Sequence, residues 1–308
     1  MMITVVIPVY NSSQIQVELY ERLCSVLNYY KSDFEIIFVN DGSYDNSSDV
    51  IKNICCKDTR VKLIDLSRNF GHQAAISAGL ERAKGDVVAI LDDDLQDPPE
   101  LLPRFIDKLA EGYEVVYGIR KKRKENYVKK VSFFIFYRLL RLISNYEIPY
   151  DSGDFCVMSR KTVDILNGFK ETNRFFRGIR SWIGLKQIGL EYERQARFKG
   201  RSQYTLKKYL RFALNAIFSF SYLPLRISIF LGFAVAGISI IYGIFIIYKR
   251  ISGLIENVPG FAALFVAISF IGGCILVSLG IIGEYIARLY DEVKRRPQYI
   301  IKDEIGFE

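Results

Sequence analysis

The sequence is poor in the residues from which several kinds of catalytic and structural sites are built. It contains one histidine, His72, and five cysteines, an odd number with no Cys-x-x-Cys spacing. These counts argue against a Ser-His-Asp triad, a zinc site and a disulfide framework. We therefore expect His72 to be an ordinary residue at the N-terminus of a helix.

Glycine-rich phosphate-binding loops are also missing. Neither a Gly-x-Gly-x-x-Gly sequence nor a Gly-x-x-x-x-Gly-Lys-Ser/Thr sequence follows any strand-like run, so a dinucleotide-binding fold and a P-loop fold lose support. The net charge of +8 suits an anionic partner. Because no nucleic-acid recognition motif or stacking platform accompanies that charge, we expect a membrane surface as the partner and no nucleic acid.

Charged residues are absent from two long stretches near the C-terminus. Residues 227–248 include no charge in 22 positions, and as a helix they would reach about 33 Å, enough to cross a hydrocarbon core of about 30 Å. Residues 258–283 are also uncharged. We expect two transmembrane helices, about residues 227–248 and 259–283, within a hairpin of residues 227–285; the alternative is two buried helices of a soluble core.

The flanking basic residues predict how these spans are oriented. The loop of residues 249–260 carries Lys249 and Arg250, whereas the outer flanks carry six basic residues between positions 211 and 296. By the positive-inside rule, the N-terminal domain, both termini and a tail of residues 286–308 are cytoplasmic. The run of residues 3–8 lacks a basic leader and is too short for a signal peptide, so it should be the first strand of that domain.

The first 120 residues alternate between two kinds of pattern. Strand-like runs and helical stretches follow one another, which predicts an α/β fold with a parallel, doubly wound sheet. The strand-like runs are residues 3–8, 35–40, 61–66, 86–91 and 114–117, and the helical stretches are residues 14–29, 45–56, 72–83 and 100–109.

Three consecutive carboxylates, Asp92, Asp93 and Asp94, follow the apolar run of residues 87–91. Open α/β sheets bind nucleotides in the crevice at the carboxyl ends of their strands. Alternate residues of an extended chain face one side, so Asp92 and Asp94 can share a cation while Asp93 points elsewhere, and Gln96 can add a neutral oxygen. The pattern predicts Mg2+ or Mn2+ held against a nucleotide diphosphate; the alternative is a solvated acidic loop or a charged helix N-terminus.

Two further stretches mix aromatic, aliphatic and basic residues. Residues 128–146 suit an interfacial helix in the plane of a membrane, and an amphipathic core helix is the alternative. Residues 204–226 form a second candidate, an amphipathic juxtamembrane helix that leads into the first span.

Five short motifs then identify a family resemblance. They are Val6-Ile7-Pro8-Val9-Tyr10-Asn11, Val39-Asn40-Asp41-Gly42-Ser43, Leu66-Ser67-Arg68-Asn69-Phe70-Gly71, Asp92-Asp93-Asp94-Leu95-Gln96 and Ser152-Gly153-Asp154-Phe155. In this order they resemble family 2 glycosyltransferases of the GT-A fold, and more narrowly the polyprenyl-phosphate glycosyltransferases, which include bactoprenol glucosyltransferase and dolichyl-phosphate mannose synthase. The resemblance implies a GT-A, Rossmann-like nucleotide-sugar domain over residues 1–203.

The resemblance also implies binding roles for individual residues. Asp41 would accept a hydrogen bond from the base, although an Asx-type turn is the alternative for it. Arg68 and Asn69 would serve the same pocket or cap the following helix. The residues assigned to the nucleotide sugar are Pro8, Tyr10, Asn11, Asp41, Arg68, Asn69, Asp92, Asp93 and Arg120. The implied metal ligands are Asp92, Asp94 and Gln96.

The phosphates would be held mainly by arginines, whose guanidinium groups bind two oxygens in one plane. The assigned residues are Arg120, Arg138, Arg197, Arg201 and Gln203. Gln203 stands where the family usually has lysine, so Arg201 or Lys207 would have to supply the missing charge. Asp154 resembles the aspartate proposed as catalytic base in the family. A phosphate monoester is largely dianionic at neutral pH, however, so orienting the acceptor or sugar is the safer role, and a simple turn acid is the alternative.

The expected function is inverting sugar transfer from a nucleotide sugar, with UDP-glucose as the first candidate, to a polyprenyl phosphate such as undecaprenyl phosphate. Two rivals remain. A processive polysaccharide synthase would normally show Gln-x-x-Arg-Trp and more spans, whereas the only tryptophan, Trp182, has Gly178 in the glutamine's place. A non-catalytic membrane partner would bind nucleotide sugar without turnover. The sequence leaves the oligomeric state open, a homo-oligomer included.

Overall fold

A computed structural model describes residues 1–30, 32–121, 152–169, 171, 174, 176–193, 223–252 and 260–307. These residues divide into two compact units. The first contains the described residues up to 193 together with residues 296–307, and the second contains residues 223–252 and 260–295. From the sequence alone, residues 296–307 were expected to belong to a separate tail.

Eight strands form one sheet in the first unit. They are β1 Ile3–Val9, β2 Phe34–Asn40, β3 Val61–Leu66, β4 Val87–Ile90, β5 Val115–Lys121, β6 Ser152–Ser159, β7 Gln187–Glu193 and β8 Ile301–Ile305. Their order across the sheet is β7-β5-β6-β4-β1-β2-β3-β8.

The sheet is mixed, whereas the alternation of the sequence predicts a parallel one. Strands β4, β1, β2 and β3 are parallel neighbours, and β5 is parallel to β7. Strand β6, however, lies antiparallel between β4 and β5, and β8 is antiparallel to β3. From the sequence, the segment of β6 is interpreted as a motif and that of β8 as part of a tail. Neither segment is therefore predicted to be a strand. The α/β class is confirmed.

Six helices cover the two faces of this sheet. They are α1 Gln16–Asn28, α2 Ser47–Cys55, α3 His72–Arg82, α4 Leu102–Ala110, α5 Arg160–Gly168 and α6 Phe176–Trp182. Helix α1 buries Leu19, Leu23 and Leu27, a four-residue spacing that lines one helical face.

Alternate residues of the central strands supply the two halves of the core. Val5 and Ile7 of β1 pack in a cluster with residues of α1, α2 and α4, and Val6 packs in another with residues of α3, α5 and α6. Burial on both faces explains why the central strands read as nearly continuous apolar runs.

Two long apolar helices make up the described part of the second unit, α7 Leu223–Ile251 and α8 Gly260–Lys294. Each contains a segment long and apolar enough to cross a membrane, Ile227–Lys249 and Val266–Lys294. Helix α8 ends at Lys294, beyond the predicted end at residue 283. Its 35 residues correspond to a length of about 52 Å. The predicted interfacial stretch 128–146, and residues 204–222 of the juxtamembrane stretch, lie outside the described residues.

The C-terminal strand β8 closes the β3 edge of the sheet. Its backbone pairs with residues 63–66, and Ser67 N donates to Ile300 O at 2.9 Å. Ion pairs join Glu304 to Arg82 at 2.8 Å and Asp303 to Lys52 at 3.7 Å. An edge strand that would otherwise present unpaired backbone groups is therefore covered by the chain itself.

Candidate active site

The candidate site lies where β1, β2 and β4 end. The register aligns Val9 of β1 with Asn40 of β2, and β4 ends at Ile90 beside Val6. The loops that follow these strands therefore meet at the carboxyl edge of the sheet, which is the usual nucleotide crevice of such folds.

The acidic loop after β4 is a turn and does not continue the strand. Residues 93–94 form a turn, and Leu95 adopts a left-handed backbone with φ of 54°. Gln96 N donates to Asp94 Oδ1 at 3.1 Å. Asp92 and Asp94 therefore do not share one face of an extended strand, and that prediction is wrong. A non-glycine residue with positive φ is strained, and the buried side chain of Leu95 holds it there.

One carboxylate oxygen of Asp92 accepts no hydrogen bond from the residues that the structure describes. This oxygen, Oδ1, is buried. His72 Nε2 lies 3.5 Å from this oxygen, and Arg120 Nη2 lies 3.9 Å from Oδ2. Burial raises the pKa of Asp92, while the nearby His72 opposes that shift. A buried carboxylate oxygen without a donor is suited to a cation ligand.

Asp93 serves a different purpose in this conformation. It accepts hydrogen bonds from the Ser12 hydroxyl and from Tyr10 N, the latter at 3.4 Å. Burial raises the pKa of Asp93 to about 6, against the lowering effect of the Ser12 hydrogen bond. Asp93 thereby ties the acidic loop to the loop that follows β1.

The acids fit a cation bound jointly with a diphosphate better than a metal in a closed protein cage. Across the described ranges, no three His, Cys, Asp or Glu side chains group closely enough to hold an ion. Mg2+ commonly uses only one or two carboxylates together with substrate phosphates. The oxygen donors of Asp92, Asp94 and Gln96, with the unsatisfied Asp92 Oδ1, match that need.

The loops after β1 and β2 are joined through Asn11. Its backbone is left-handed with φ of 54°; its Oδ1 accepts from Tyr44 N at 2.8 Å, and its N donates to Ser43 Oγ at 3.0 Å. Tyr10 is 38% exposed at the rim of these loops, whereas Pro8 is buried within β1. Of these two residues predicted to line the pocket, Tyr10 is therefore accessible to a ligand, whereas Pro8 is buried in the sheet.

Asp41 holds the loop of residues 68–71. Its carboxylate is 3% exposed and accepts from Phe70 N at 2.7 Å and from Gly71 N at 3.0 Å. Burial raises the pKa of Asp41, and these two hydrogen bonds oppose the shift. The predicted contact of Asp41 with a base stays a prediction, since it would have to use lone pairs that these bonds leave.

Arg68 and Asn69 follow β3 in the same loop. The Arg68 guanidinium lies over the Phe70 ring, 4.1 Å from its centroid, and its Nη1 donates to Asn69 O at 3.2 Å. Helix α3 then begins at His72 after Gly71. Both residues thus lie beside the site, and their predicted contacts with a nucleotide are untested.

Asp154, on β6, accepts hydrogen bonds from residues of two helices, α3 and α6. Arg177 donates to it through Nε at 2.9 Å and Nη2 at 3.1 Å, and Gln73 Nε2 donates at 3.3 Å. His72 Nε2 lies 3.3 Å from Oδ2. Although burial favours the neutral acid, Arg177 and His72 hold the pKa of Asp154 well below its usual range. The carboxylate is thus built to stay ionised and to orient its neighbours.

Sequence reasoning missed three residues of this site, His72, Gln73 and Arg177. It treated His72 as a simple helix N-terminal residue; the structure confirms that position but also puts its imidazole between Asp92 and Asp154. Burial lowers the pKa of His72, but the two carboxylates outweigh it and raise the pKa to about 9. Gln73 and Arg177 carried no signal, because 81 and 23 residues separate them from Asp154.

The guanidinium group of Arg120, which is predicted to hold phosphate, also lies beside Asp92. Besides Asp92, it contacts the buried Asp97, with Nη2 to Oδ2 at 3.4 Å, and the Tyr192 hydroxyl, which accepts from Nε at 3.3 Å. Burial lowers the pKa of Arg120, but the negative charge of Asp97 outweighs it and raises the pKa. The other predicted phosphate residues, Arg138, Arg197, Arg201 and Gln203, lie outside the described residues.

Comparison with known proteins assigns a family to this chain. The family described as glycosyl transferase family 2 matches residues 4–166. An uncharacterised glycosyltransferase of Bacillus subtilis is 43% identical over 306 residues, covering 99% of this chain and 94% of its own. A prophage bactoprenol glucosyl transferase homolog of Escherichia coli is 38% identical over 304 residues, covering 98% and 99%. The bactoprenol glucosyl transferase of Shigella phage SfV is 38% identical over 307 residues and covers 99% of both.

A solved structure is similar in fold. The glucosyl-3-phosphoglycerate synthase of Mycobacterium tuberculosis, in complex with Mn2+, UDP and phosphoglyceric acid, aligns with a TM-score of 0.50 at 17% identity. The alignment covers 70% of this chain and 76% of that one. At this identity the likeness concerns the fold alone.

Proposed function

Because this chain belongs to glycosyl transferase family 2, we propose that it transfers one sugar from a nucleotide sugar to the phosphate of a membrane polyprenyl phosphate. UDP-glucose is the proposed donor and undecaprenyl phosphate the proposed acceptor. The products are a polyprenyl monophosphosugar and a nucleoside diphosphate, and the anomeric configuration is inverted.

Similarity over the whole chain supports the lipid acceptor. The relatives named bactoprenol glucosyl transferases align over at least 98% of this chain, so the alignment includes its C-terminal helices. Both helices contain segments long and apolar enough to cross a membrane. A membrane-bound enzyme meets a lipid phosphate by searching along a surface instead of through a volume, which favours productive encounter. We propose that the first unit and both termini lie on the cytoplasmic side.

Binding of the nucleotide sugar is proposed from one observation: the buried Oδ1 of Asp92 accepts no hydrogen bond from the described residues. It lies in the crevice at the strand ends, with Asp94 and Gln96 in the same loop and Arg120 3.9 Å from Oδ2. We assign Asp92, Asp94 and Gln96 to the cation and Arg120 to the diphosphate. A bound Mg2+ or Mn2+ would supply Lewis-acid stabilisation of the charge on the departing diphosphate.

The reaction needs little help from a general base. A phosphate monoester has a second pKa near 6 and is largely dianionic at neutral pH. One acceptor oxygen attacks the anomeric carbon on the side opposite the diphosphate, the bond from that carbon to the diphosphate oxygen breaks, and the configuration inverts. Asp154, with Arg177 and Gln73 donating to its carboxylate, is assigned to orienting groups around the reacting atoms.

Membranes containing the chain should be incubated with undecaprenyl phosphate and a panel of labelled nucleotide sugars, with and without EDTA. We expect one glucose per lipid from UDP-glucose, loss of transfer with EDTA and recovery with Mn2+ or Mg2+. NMR of the released sugar phosphate should show the inverted anomeric centre. The matched control is the Asp94→Ala protein, which should reach the membrane and transfer nothing.

Each other result contradicts a defined part of the proposal. A growing polymer would indicate a processive synthase, and nucleotide binding without any lipid product would indicate a non-catalytic partner. Transfer from a different nucleotide sugar would retain the lipid acceptor and replace the donor.

A further inference from the structure

A buried tyrosine and a buried aspartate hold Arg120 in the candidate site. The Tyr192 hydroxyl donates to Asp97 Oδ1 at 2.5 Å and accepts from Arg120 Nε at 3.3 Å. Arg120 Nη2 donates to Asp97 Oδ2 at 3.4 Å. Asp97 is 0% exposed and Tyr192 is 5% exposed, so both partners of Arg120 are shielded from solvent.

The sheet explains why these residues meet. Strands β5 and β7 are parallel neighbours in which Arg120 is aligned with Tyr192. Asp97 approaches from the loop after β4, two residues before the short 3-10 helix Pro99–Leu101. Gly153 of β6 lets the guanidinium pass, because a Cβ atom there would lie 2.8 Å from Arg120 Nη2. Arg120 is therefore confined on three sides.

The same guanidinium lies between two acids. Its Nη2 is 3.4 Å from Asp97 Oδ2 and 3.9 Å from Asp92 Oδ2. At these distances, inside a protein, the attraction to either carboxylate is substantial. If Arg120 closed on Asp92, it would neutralise the acid assigned to the cation and withdraw from the diphosphate. The contacts of Asp97 and Tyr192 oppose that movement.

We propose, building on the function proposed above, that Asp97 and Tyr192 are positioning residues that hold Arg120 toward the donor diphosphate and away from Asp92. Neither needs to touch the substrate. Their effect reaches the reaction through the rotamer of Arg120, and it keeps Asp92 available to the cation.

The exchange Tyr192→Phe tests this with little change in packing. The ring would keep its edge-to-face contact with Phe155, at 5.8 Å between centroids, and its place beside Gly118. Only the hydroxyl that connects Asp97 to Arg120 is lost. Compared with wild type, we expect the KM for UDP-glucose and the half-saturating Mn2+ concentration to rise about three- to tenfold. The KM for undecaprenyl phosphate should not change.

The chain offers a matched control in a second Tyr-Asp-Arg group. The Tyr20 hydroxyl donates to Asp58 Oδ2 at 2.9 Å, and Asp58 accepts from Arg60 Nη2 at 2.8 Å. Asp58 and Arg60 lie just before β3, at the amino end of that strand, and Tyr20 lies on α1. Tyr20→Phe removes the same chemical group and should leave both KM values and the Mn2+ requirement at their wild-type levels.

Binding gives a readout independent of turnover. Isothermal titration of UDP with Mn2+ into the full-length purified protein should show a higher Kd for Tyr192→Phe than for Tyr20→Phe. A merely structural role would lower kcat and the fraction of binding-competent protein, with KM and Kd unchanged. Asp97→Asn, compared with Asp58→Asn, should raise the KM for UDP-glucose as Tyr192→Phe does. If Asp97→Asn fails to fold, the comparison of Tyr192→Phe with Tyr20→Phe alone tests the positioning role.

The outcomes separate this inference from the proposal it builds on. If the wild type transfers no sugar from any nucleotide sugar of the panel, the proposed function fails and this inference fails with it. If the wild type transfers sugar but Tyr192→Phe shows the constants of Tyr20→Phe, only the positioning role is overturned.

Discussion

Arg177 holds the carboxylate of Asp154 with two parallel hydrogen bonds, from Nε to Oδ1 at 2.9 Å and from Nη2 to Oδ2 at 3.1 Å. Bidentate contacts of this kind fix both the position and the charge of a carboxylate. An aspartate that must accept a proton would be hindered by such a partner. The relationship favours an orienting role for Asp154 over that of a general base.

Asp154→Asn should therefore lower kcat by about 100-fold, because misplacing reacting groups by about 1 Å costs that much. Raising the pH should not recover the lost activity, since Asp154 does not act as a base. A pH–rate profile of sugar transfer from pH 6 to 9 measures this. Recovery of activity at high pH would instead identify Asp154 as the base.

Asp94→Asn should separate the charge of this residue from its role in the turn. The amide keeps an oxygen that can accept from Gln96 N, as Asp94 Oδ1 does at 3.1 Å, but it is a much weaker ligand for Mg2+ or Mn2+. We expect transfer to fall at least about 100-fold with an unchanged unfolding temperature. Asp94→Ala, which removes both functions, is the companion variant. Wild-type activity in Asp94→Asn would refute the assignment of Asp94 as a metal ligand.

Gly42→Ala should destabilise the first unit through a collision between two loops. Gly42 has φ of 62°, and a Cβ atom there would overlap the backbone of Arg68 and Asn69. We expect a loss of at least about 2 kcal/mol, since the strain of a left-handed alanine adds to the clash. Gly112→Ala is the control, because Gly112 has φ of 89° but nothing within 4 Å of the added atom. Thermal unfolding in detergent should rank wild type, Gly112→Ala and Gly42→Ala in decreasing order, and equal losses would contradict the loop contact.

Deletion of residues 296–308 should lower the unfolding temperature and cause aggregation, because it uncovers the β3 edge that β8 pairs with. Size-exclusion chromatography and thermal unfolding in detergent measure both effects. Glu304→Gln is the control, since the half-exposed ion pair with Arg82 contributes at most about 1 kcal/mol. A deletion protein as stable and monodisperse as Glu304→Gln would show that the strand contributes nothing to the fold.

Local pattern predicted much of the fold. The alternation of strands and helices predicted β1 to β5 and the α/β class, and the uncharged stretches predicted both apolar helices. Strand β8 was not predicted, because Lys302, Asp303 and Glu304 give its segment the composition of a polar tail. Only pairing with β3 makes this segment a strand. Strand β6 was noticed for its Gly-Asp motif, and its antiparallel direction depends on a connection that no local pattern encodes.

The candidate site was likewise predicted only in part from the sequence. By itself, the sequence determined that Asp92, Asp93, Asp94 and Gln96 follow a buried strand, since residues adjacent in the chain must follow the same strand end. Only the tertiary structure decided that Asp93 binds the loop after β1, that Arg177 and His72 surround Asp154, and that Tyr192 reaches Asp97 across 95 residues of chain. Such contacts join residues from different strands and helices, and their partners are selected by the packing of the sheet, which no short segment of sequence contains.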